Sequence, residues 1–181
     1  ADVKTIIGND IPILVIAEES MGVAGMPNPV TEYLVEKKAY ILQRDDKGRD
    51  IERVIQDFEV AATPRHDYVL SIIGDKKQQY WNAINTDSVD GIKQLLEYMP
   101  VDSNLLIDAA RYKAPRVLQW TVSEGVDVNI TDSKGQSVLH LACDNYRLKN
   151  NEDKFIMAKT LIEAGADINA IDKSAKTPLD N

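Results

Sequence analysis

The sequence predicts a mainly helical chain whose second half is an α-solenoid of short helix pairs stacked side by side. Three observations carry this. One ending occurs twice, as Glu124-Gly125-Val126-Asp127-Val128-Asn129 and as Ala164-Gly165-Ala166-Asp167-Ile168-Asn169. Each copy follows an apolar segment of helical character, Val117–Val122 or Phe155–Ile162. Each copy also leads to an aspartate, Asp132 or Asp172, then to a polar turn and a new apolar start, Ser137-Val138-Leu139-His140 or Thr177-Pro178-Leu179. A helix stop, a turn and a helix start that recur in this order mark tandem units, each burying its apolar face on its neighbours.

The bulk properties bound the function. With 181 residues and 44% hydrophobic content, the chain is long enough for one or two folded domains. Its net charge of −8 argues against sequence-independent nucleic-acid binding, which needs a basic footprint on the phosphates. It argues equally against an anionic membrane surface. The single cysteine, Cys143, rules out an intrachain disulfide and favours a reducing, cytoplasmic setting. The glycosylation triplet Asn129-Ile130-Thr131 is read as incidental for the same reason. The longest apolar run, Ile11 to Ala17, is far short of the ~20 residues a membrane helix needs. The sequence opens on Ala1 rather than Met, and its last unit stops inside a first helix at Asn181. It is therefore expected to be a processed or shortened form of a longer chain.

Residues 1–75 read differently from 76–181. Ile11–Ala17 is apolar and β-branched and predicts a strand, with Pro12 suiting its start or an edge. The stretch from Met21 to Pro29 holds two glycines and two prolines and predicts a loop. Val30–Leu42 and Ile51–Ala61 have apolar residues at spacings of three and four, which favours a helix–turn–helix pair. A β-hairpin around Asp46-Lys47-Gly48 is the alternative, because Tyr40-Ile41-Leu42 and Val54-Ile55 also suit strands. Ala62-Thr63-Pro64 ends the second segment. This N-terminal region, of mixed α/β or helical character, is expected to cap the stack.

The segment Asp132-Ser133-Lys134-Gly135-Gln136-Ser137-Val138-Leu139-His140-Leu141-Ala142 resembles the opening of an ankyrin repeat, Asp-x-x-Gly-x-Thr-Pro-Leu-His-x-Ala. Asp172–Asp180 repeats it, with Ala175 in place of the turn glycine and Asp180 in place of the histidine. The resemblance covers residues ~79–181 and implies about three repeats, some degenerate. Gly125 and Gly165 stand 40 residues apart, against a family period of about 33. Tyr146–Glu152, polar and placed between two helices, accommodates the excess. Two earlier pairs are degenerate: Trp81–Ile84 with Ser88–Tyr98, and Ile107–Ala110 with Pro115–Glu124. Only Met99–Asp102 lies between them, so that hairpin is clipped.

The residue types suit these roles. Gly135 supplies a backbone conformation that a Cβ opposes. Ser137 and Thr177 can accept from an unpaired helix N–H, and Pro178 fits a first helical turn. Gly125 and Gly165 stop the second helices. Leu139, Ala142, Leu161 and Ile162 form the apolar face.

The resemblance implies a protein–protein interaction module, an adaptor or scaffold that binds through hairpin tips and inner helices. Its tip residues would be Ile130, Thr131, Ser133, Lys134 and Gln136, then Lys173, Ser174 and Lys176. Inner-helix surface positions would be Arg111, Tyr112 and Lys113 in one repeat, and Cys143, Asp144 and Asn145 in the next. Arg and Tyr are enriched at binding hot spots. The alternatives are a targeting or regulatory repeat region of a larger enzyme or pathogen effector that acts through residues 1–75, and a capped stack that self-associates.

Enzyme chemistry has little to stand on here. His140, Cys143 and Asp144 could be read as a base beside a nucleophile, but His140 falls at the family's structural histidine position. Two histidines and one cysteine cannot build an ordinary structural zinc site. Met21–Gly25 lacks the third glycine and the lysine of a phosphate loop. Glu18 and Glu19 lie beside a strand, where carboxylates are commonplace, and His66 is expected in a polar turn. No cofactor motif is present.

Overall fold

A computed structural model describes residues 6–7, 11–12, 40–42, 44, 64–144 and 151–180, with only the backbone described for 6–7, 11–12 and 64–69. These residues are mainly helical. Two short strands, β1 (Ile6–Ile7) and β2 (Ile11–Pro12), pair antiparallel with Ile7 opposite Ile11. Among the described residues six α-helices follow: α1 (Pro64–Asn85), α2 (Val89–Lys93), α3 (Ser103–Arg111), α4 (Pro115–Ser123), α5 (Val138–Cys143) and α6 (Asn151–Glu163). A 3₁₀ turn, Pro178–Asp180, closes the order.

The chain divides into two compact units, one of residues 1–80 with 94–100, the other of 81–93 with 101–181. In the first, Ile41, Ile73, Tyr80, Leu95 and Met99 are buried, and the Leu42 N–H donates to the Tyr98 carbonyl at 3.1 Å. Most of the N-terminal expectations, including the helical pair and the loop, lie outside the described residues. Ile41–Leu42, expected to end the first helical segment, form a turn. His66 lies within α1, not in a turn, because the helix already starts at Pro64, a residue suited to a first helical position. The helix expected over Ser88–Tyr98 is regular only over Val89–Lys93, and the chain then tightens into turns such as Tyr98 N–H to Leu95 O at 2.8 Å.

The second unit holds the repeats. α3 packs on α4 and α5, and α6 packs on α4 and α5. One core therefore runs through Leu105, Leu106, Leu118, Leu139, Met157 and Leu161, all buried. Ala109, Ala110, Ala114 and Ala142 are also fully buried, and their small side chains allow the helices to approach closely. Ile162 corrects the sequence reading. It is 49% exposed, since α6 turns Met157 and Leu161, four residues apart, inward and Ile162 about 100° away from Leu161.

Helix starts are satisfied in three ways. Asp102 caps α3 by accepting from the Leu105 N–H at 3.0 Å. Ser137 caps α5 in a reciprocal box with His140. Ala114, at the start of α4, has no side chain that could do this. The Asp87 carboxylate, 29 residues earlier, reaches the Arg116 N–H at 3.0 Å and the Val117 N–H at 3.0 Å. Asp87 itself has φ +52°, which Asp tolerates better than most residues. Asp87→Ala is therefore expected to lower the unfolding free energy by about 1–2 kcal/mol in a urea titration, while Asp87→Asn, which retains an acceptor oxygen, loses less. A loss below about 0.5 kcal/mol for Asp87→Ala would show that the cap contributes nothing.

Candidate functional site

The hairpins between helix pairs are built twice from the same bonds. The Asp132 carboxylate accepts from the backbone N–H of Lys134 (2.8 Å) and Gln136 (3.0 Å). The Asp172 carboxylate accepts from Ser174 (2.8 Å) and Lys176 (3.0 Å). Each aspartate N–H closes the turn on the carbonyl four residues on, at 2.9 Å in both copies. The turns have positive φ at the residue three after the aspartate. Gly135 supplies +75° and Ala175 supplies +58°, so the turn persists with alanine in the glycine position. At Gly135 a Cβ would also stand 3.2 Å from the Lys173 backbone nitrogen, so a side chain there would be crowded as well as strained in φ.

Successive hairpins are tied in register. The Lys173 N–H donates to the Lys134 carbonyl at 3.3 Å, and the Lys173 ammonium donates to the Ser133 carbonyl at 2.8 Å. Asn129 bridges the repeats through both ends of its amide, donating to Gly165 O (3.1 Å) and accepting from the Asp167 N–H (2.9 Å). His140 is fully buried. One ring nitrogen lies 2.7 Å from the Ser137 hydroxyl and the other 2.9 Å from the Lys176 carbonyl. A carbonyl only accepts, so Nε2 carries the proton and Nδ1 accepts from Ser137.

This framework leaves an exposed row of tip side chains. Thr131, Ser133, Lys134, Lys173, Ser174 and Lys176 are exposed and Gln136 is half-buried. All of these but Thr131 line, with Asp172, one open cleft of about 500 Å³. On the inner-helix side, the Arg111 guanidinium pairs with Asp132 at 2.7 Å; the arginine side chain stays 41% exposed while the aspartate is nearly covered. Tyr112 is half-buried against Trp81, with ring centroids 5.0 Å apart at 54°. Asp144 is half-buried, and Asn145, like most of Tyr146–Glu152, lies outside the described residues.

Lys113 is the correction. The sequence placed it on the binding surface, but its residue is 1% exposed, with φ +58°. Its ammonium donates to the carbonyls of Leu141 (2.6 Å) and Ala142 (3.3 Å), at the C-terminal end of the six-residue α5. A cation there satisfies carbonyls that have no helical partner and complements the helix dipole. Burial pushes the ammonium below the ordinary lysine range, and Asp144 opposes this. Trp81 and the Asp87 cap were not singled out in the sequence. The only available signal for Trp81 was its spacing of 31 residues from Tyr112, close to one repeat.

The pairing of His140 with Cys143 does not form in this geometry, because both ring nitrogens are engaged elsewhere. Burial also pushes the Cys143 thiol up, away from the reactive thiolate.

The last turn carries a pH signature. The Lys176 N–H is the main cause that holds the Asp172 carboxyl below the usual carboxylate range; desolvation opposes it and the Ser174 N–H adds to it. Asp180 is held low chiefly by the Thr177 N–H, then by the Thr177 hydroxyl. A depressed carboxyl stabilises the fold above its ordinary value near ~3.9, and this is lost as pH falls through the lower folded value. Carboxyl titration by NMR should place both midpoints below ~3.9, with Lys176 and Thr177 amide protection fading in the same window. Ordinary midpoints would contradict the geometry.

A row of helix pairs joined by hairpins in register is a helical-repeat solenoid. Residues 106–181 match the family model for ankyrin repeats in three copies, and this part of the chain is an ankyrin-repeat array. Three relatives are similar. An ankyrin repeat protein of Borreliella burgdorferi is 28% identical over 141 residues, 72% of this chain and 32% of that protein. NPR3 of Oryza sativa subsp. japonica, described as a BTB/POZ domain and ankyrin repeat-containing protein, is 30% identical over 124 residues, 66% of this chain and 20% of that protein. An ankyrin repeat protein of fowlpox virus is 34% identical over 68 residues, 38% of this chain and 15% of that protein. The chain thus spans a third or less of the length of these relatives. Among the described residues no helix is long and apolar enough to cross a membrane.

Proposed function

We propose that this chain is an adaptor or scaffold that binds another protein inside the cell through its hairpin tips and the adjoining inner-helix surface. The supporting observation is the tip row itself. Turn aspartates and backbone bonds hold Ser133, Lys134 and Gln136 in register with Lys173, Ser174 and Lys176, so a partner meets one continuous surface already ordered. Preorganised side chains lose little freedom on binding. Arg111, Tyr112 and Asp144 extend the surface inward, and Tyr112 on Trp81 supplies an aromatic anchor of hot-spot type. Lys113 has no part in it.

A photo-crosslinking residue at Gln136 in the full chain is expected to trap a protein that the same probe at Gln119, exposed on α4, does not trap. The substitutions Tyr112→Ala and Lys134→Ala together should release it. Capture from Gln119 alone, or capture indifferent to those substitutions, would overturn the reading. A second reading is that the repeats target a longer protein; the greater length of the relatives, one with a BTB/POZ domain, favours it. Self-association remains a separate expectation, checked by a light-scattering mass above that of the 20.2 kDa chain.

A further inference from the structure

We infer that the groove between the two hairpin tips takes an acidic peptide segment of the partner, with carboxylates set against Lys134 and Lys176. This rests on the protein-binding reading and names the chemistry of the partner at that site.

The observation is a local reversal of charge. The whole chain carries −8, yet the cleft between the tips is lined by Lys134, Lys173 and Lys176 against one carboxylate, Asp172. That carboxylate faces the amides of its own turn, which already hold it ionised, and Asp132 is turned inward in the same way with Arg111. The carboxylates are thus spent on the turns, while the ammonium groups belong to the exposed ends of the same turns. Lys173 is pinned on the Ser133 carbonyl and contributes a fixed positive charge. Lys134 and Lys176 are exposed, and among the described residues neither ammonium makes a hydrogen bond or an aromatic contact, although the Lys176 charge is near enough to Asp172 and Asp180 to help hold both carboxyls low. Several basic side chains elsewhere in the described chain are occupied, namely Arg111 on Asp132, Lys159 on Glu163, Lys93 over Trp120 and Lys76 over Tyr98, while Arg116 is a single exposed cation away from the tips.

Neutral donors accompany the charge. The Ser133 and Ser174 hydroxyls and the Gln136 amide line the same cleft, and such groups can bond the backbone carbonyls and carboxylates of an extended peptide. A short acidic segment fits this groove better than a nucleic acid does. A long polyanion would have to continue across a chain that is acidic overall, whereas a peptide need present only two or three carboxylates.

The test uses the full chain and three probes: a ten-residue Glu/Ala peptide, its Gln/Ala counterpart and an oligothymidylate of equal charge, each followed by titration calorimetry at two salt concentrations. The Glu peptide should bind and weaken with salt, and Lys134→Glu with Lys176→Glu should weaken it about tenfold. Lys93→Glu with Lys159→Glu, an equal charge change away from the tips, should alter it less than threefold. Thermal melting confirms that both double variants are folded. Equal binding of the Glu and Gln peptides, equal losses from the two double variants, or tighter binding of the oligothymidylate would each overturn the assignment. If the Gln136 probe still traps a protein while the Glu peptide fails, the interaction reading stands and the acidic partner alone is lost.

Discussion

Lys113→Ala is expected to lower the unfolding free energy by about 3–4 kcal/mol, a large share of the total for a domain of this size. Two losses combine. The buried aliphatic stem leaves a cavity, and the carbonyls of Leu141 and Ala142 lose their donor. Lys113→Met keeps most of the volume and also removes a buried charge, so its cost should be only about 1–2 kcal/mol. Urea unfolding of both variants separates packing from capping. A further readout has a fixed sign. Burial sets the folded ammonium below its unfolded value, so the folded chain binds fewer protons between the two. Stability of the parent relative to Lys113→Met should therefore rise with pH across that window. A cost below about 1 kcal/mol for Lys113→Ala would mean that the ammonium is not holding α5.

His140→Ala is the second large effect, at about 3 kcal/mol. It empties a fully buried site, removes half of the α5 cap and leaves the Lys176 carbonyl without its donor. The next repeat suggests the informative companion. There Asp180 stands in the histidine's place and caps Thr177 locally, through bonds of 2.8 Å to its N–H and 2.7 Å to its hydroxyl. His140→Asn should likewise retain the local cap but fail to span to the next hairpin. It is expected to recover roughly half of the loss in global unfolding. Hydrogen exchange should still show the Lys176 turn loosened to the alanine level. If the two variants protect that turn differently, the link between repeats does not run through Nε2.

The repeat array was legible because its signals are local. Gly135, Ser137, His140 and the two Asp–x–Asn endings state turn, cap and stop within a few residues of one another. Leu139, Ala142 and Leu161, expected on the apolar face, are all buried in one core. What escaped depends on partners distant in sequence. Asp87 caps a helix 29 residues away, and Lys113 reaches carbonyls 28 and 29 residues on. A lysine beside an arginine and a tyrosine reads as surface by composition, and only the left-handed turn after α3 sends it inward. The tip residues were named from the resemblance; their shared cleft came from the bonds between Lys134, Ser133 and Lys173.

The duplicated aspartate turn separates two duties within a five-residue loop. Shape is kept by one carboxylate and by main-chain atoms, which are indifferent to what Ser133, Lys134, Ser174 and Lys176 happen to be. Those four positions are consequently free to drift or to be redesigned, and a changed appetite for partners need not disturb the scaffold beneath.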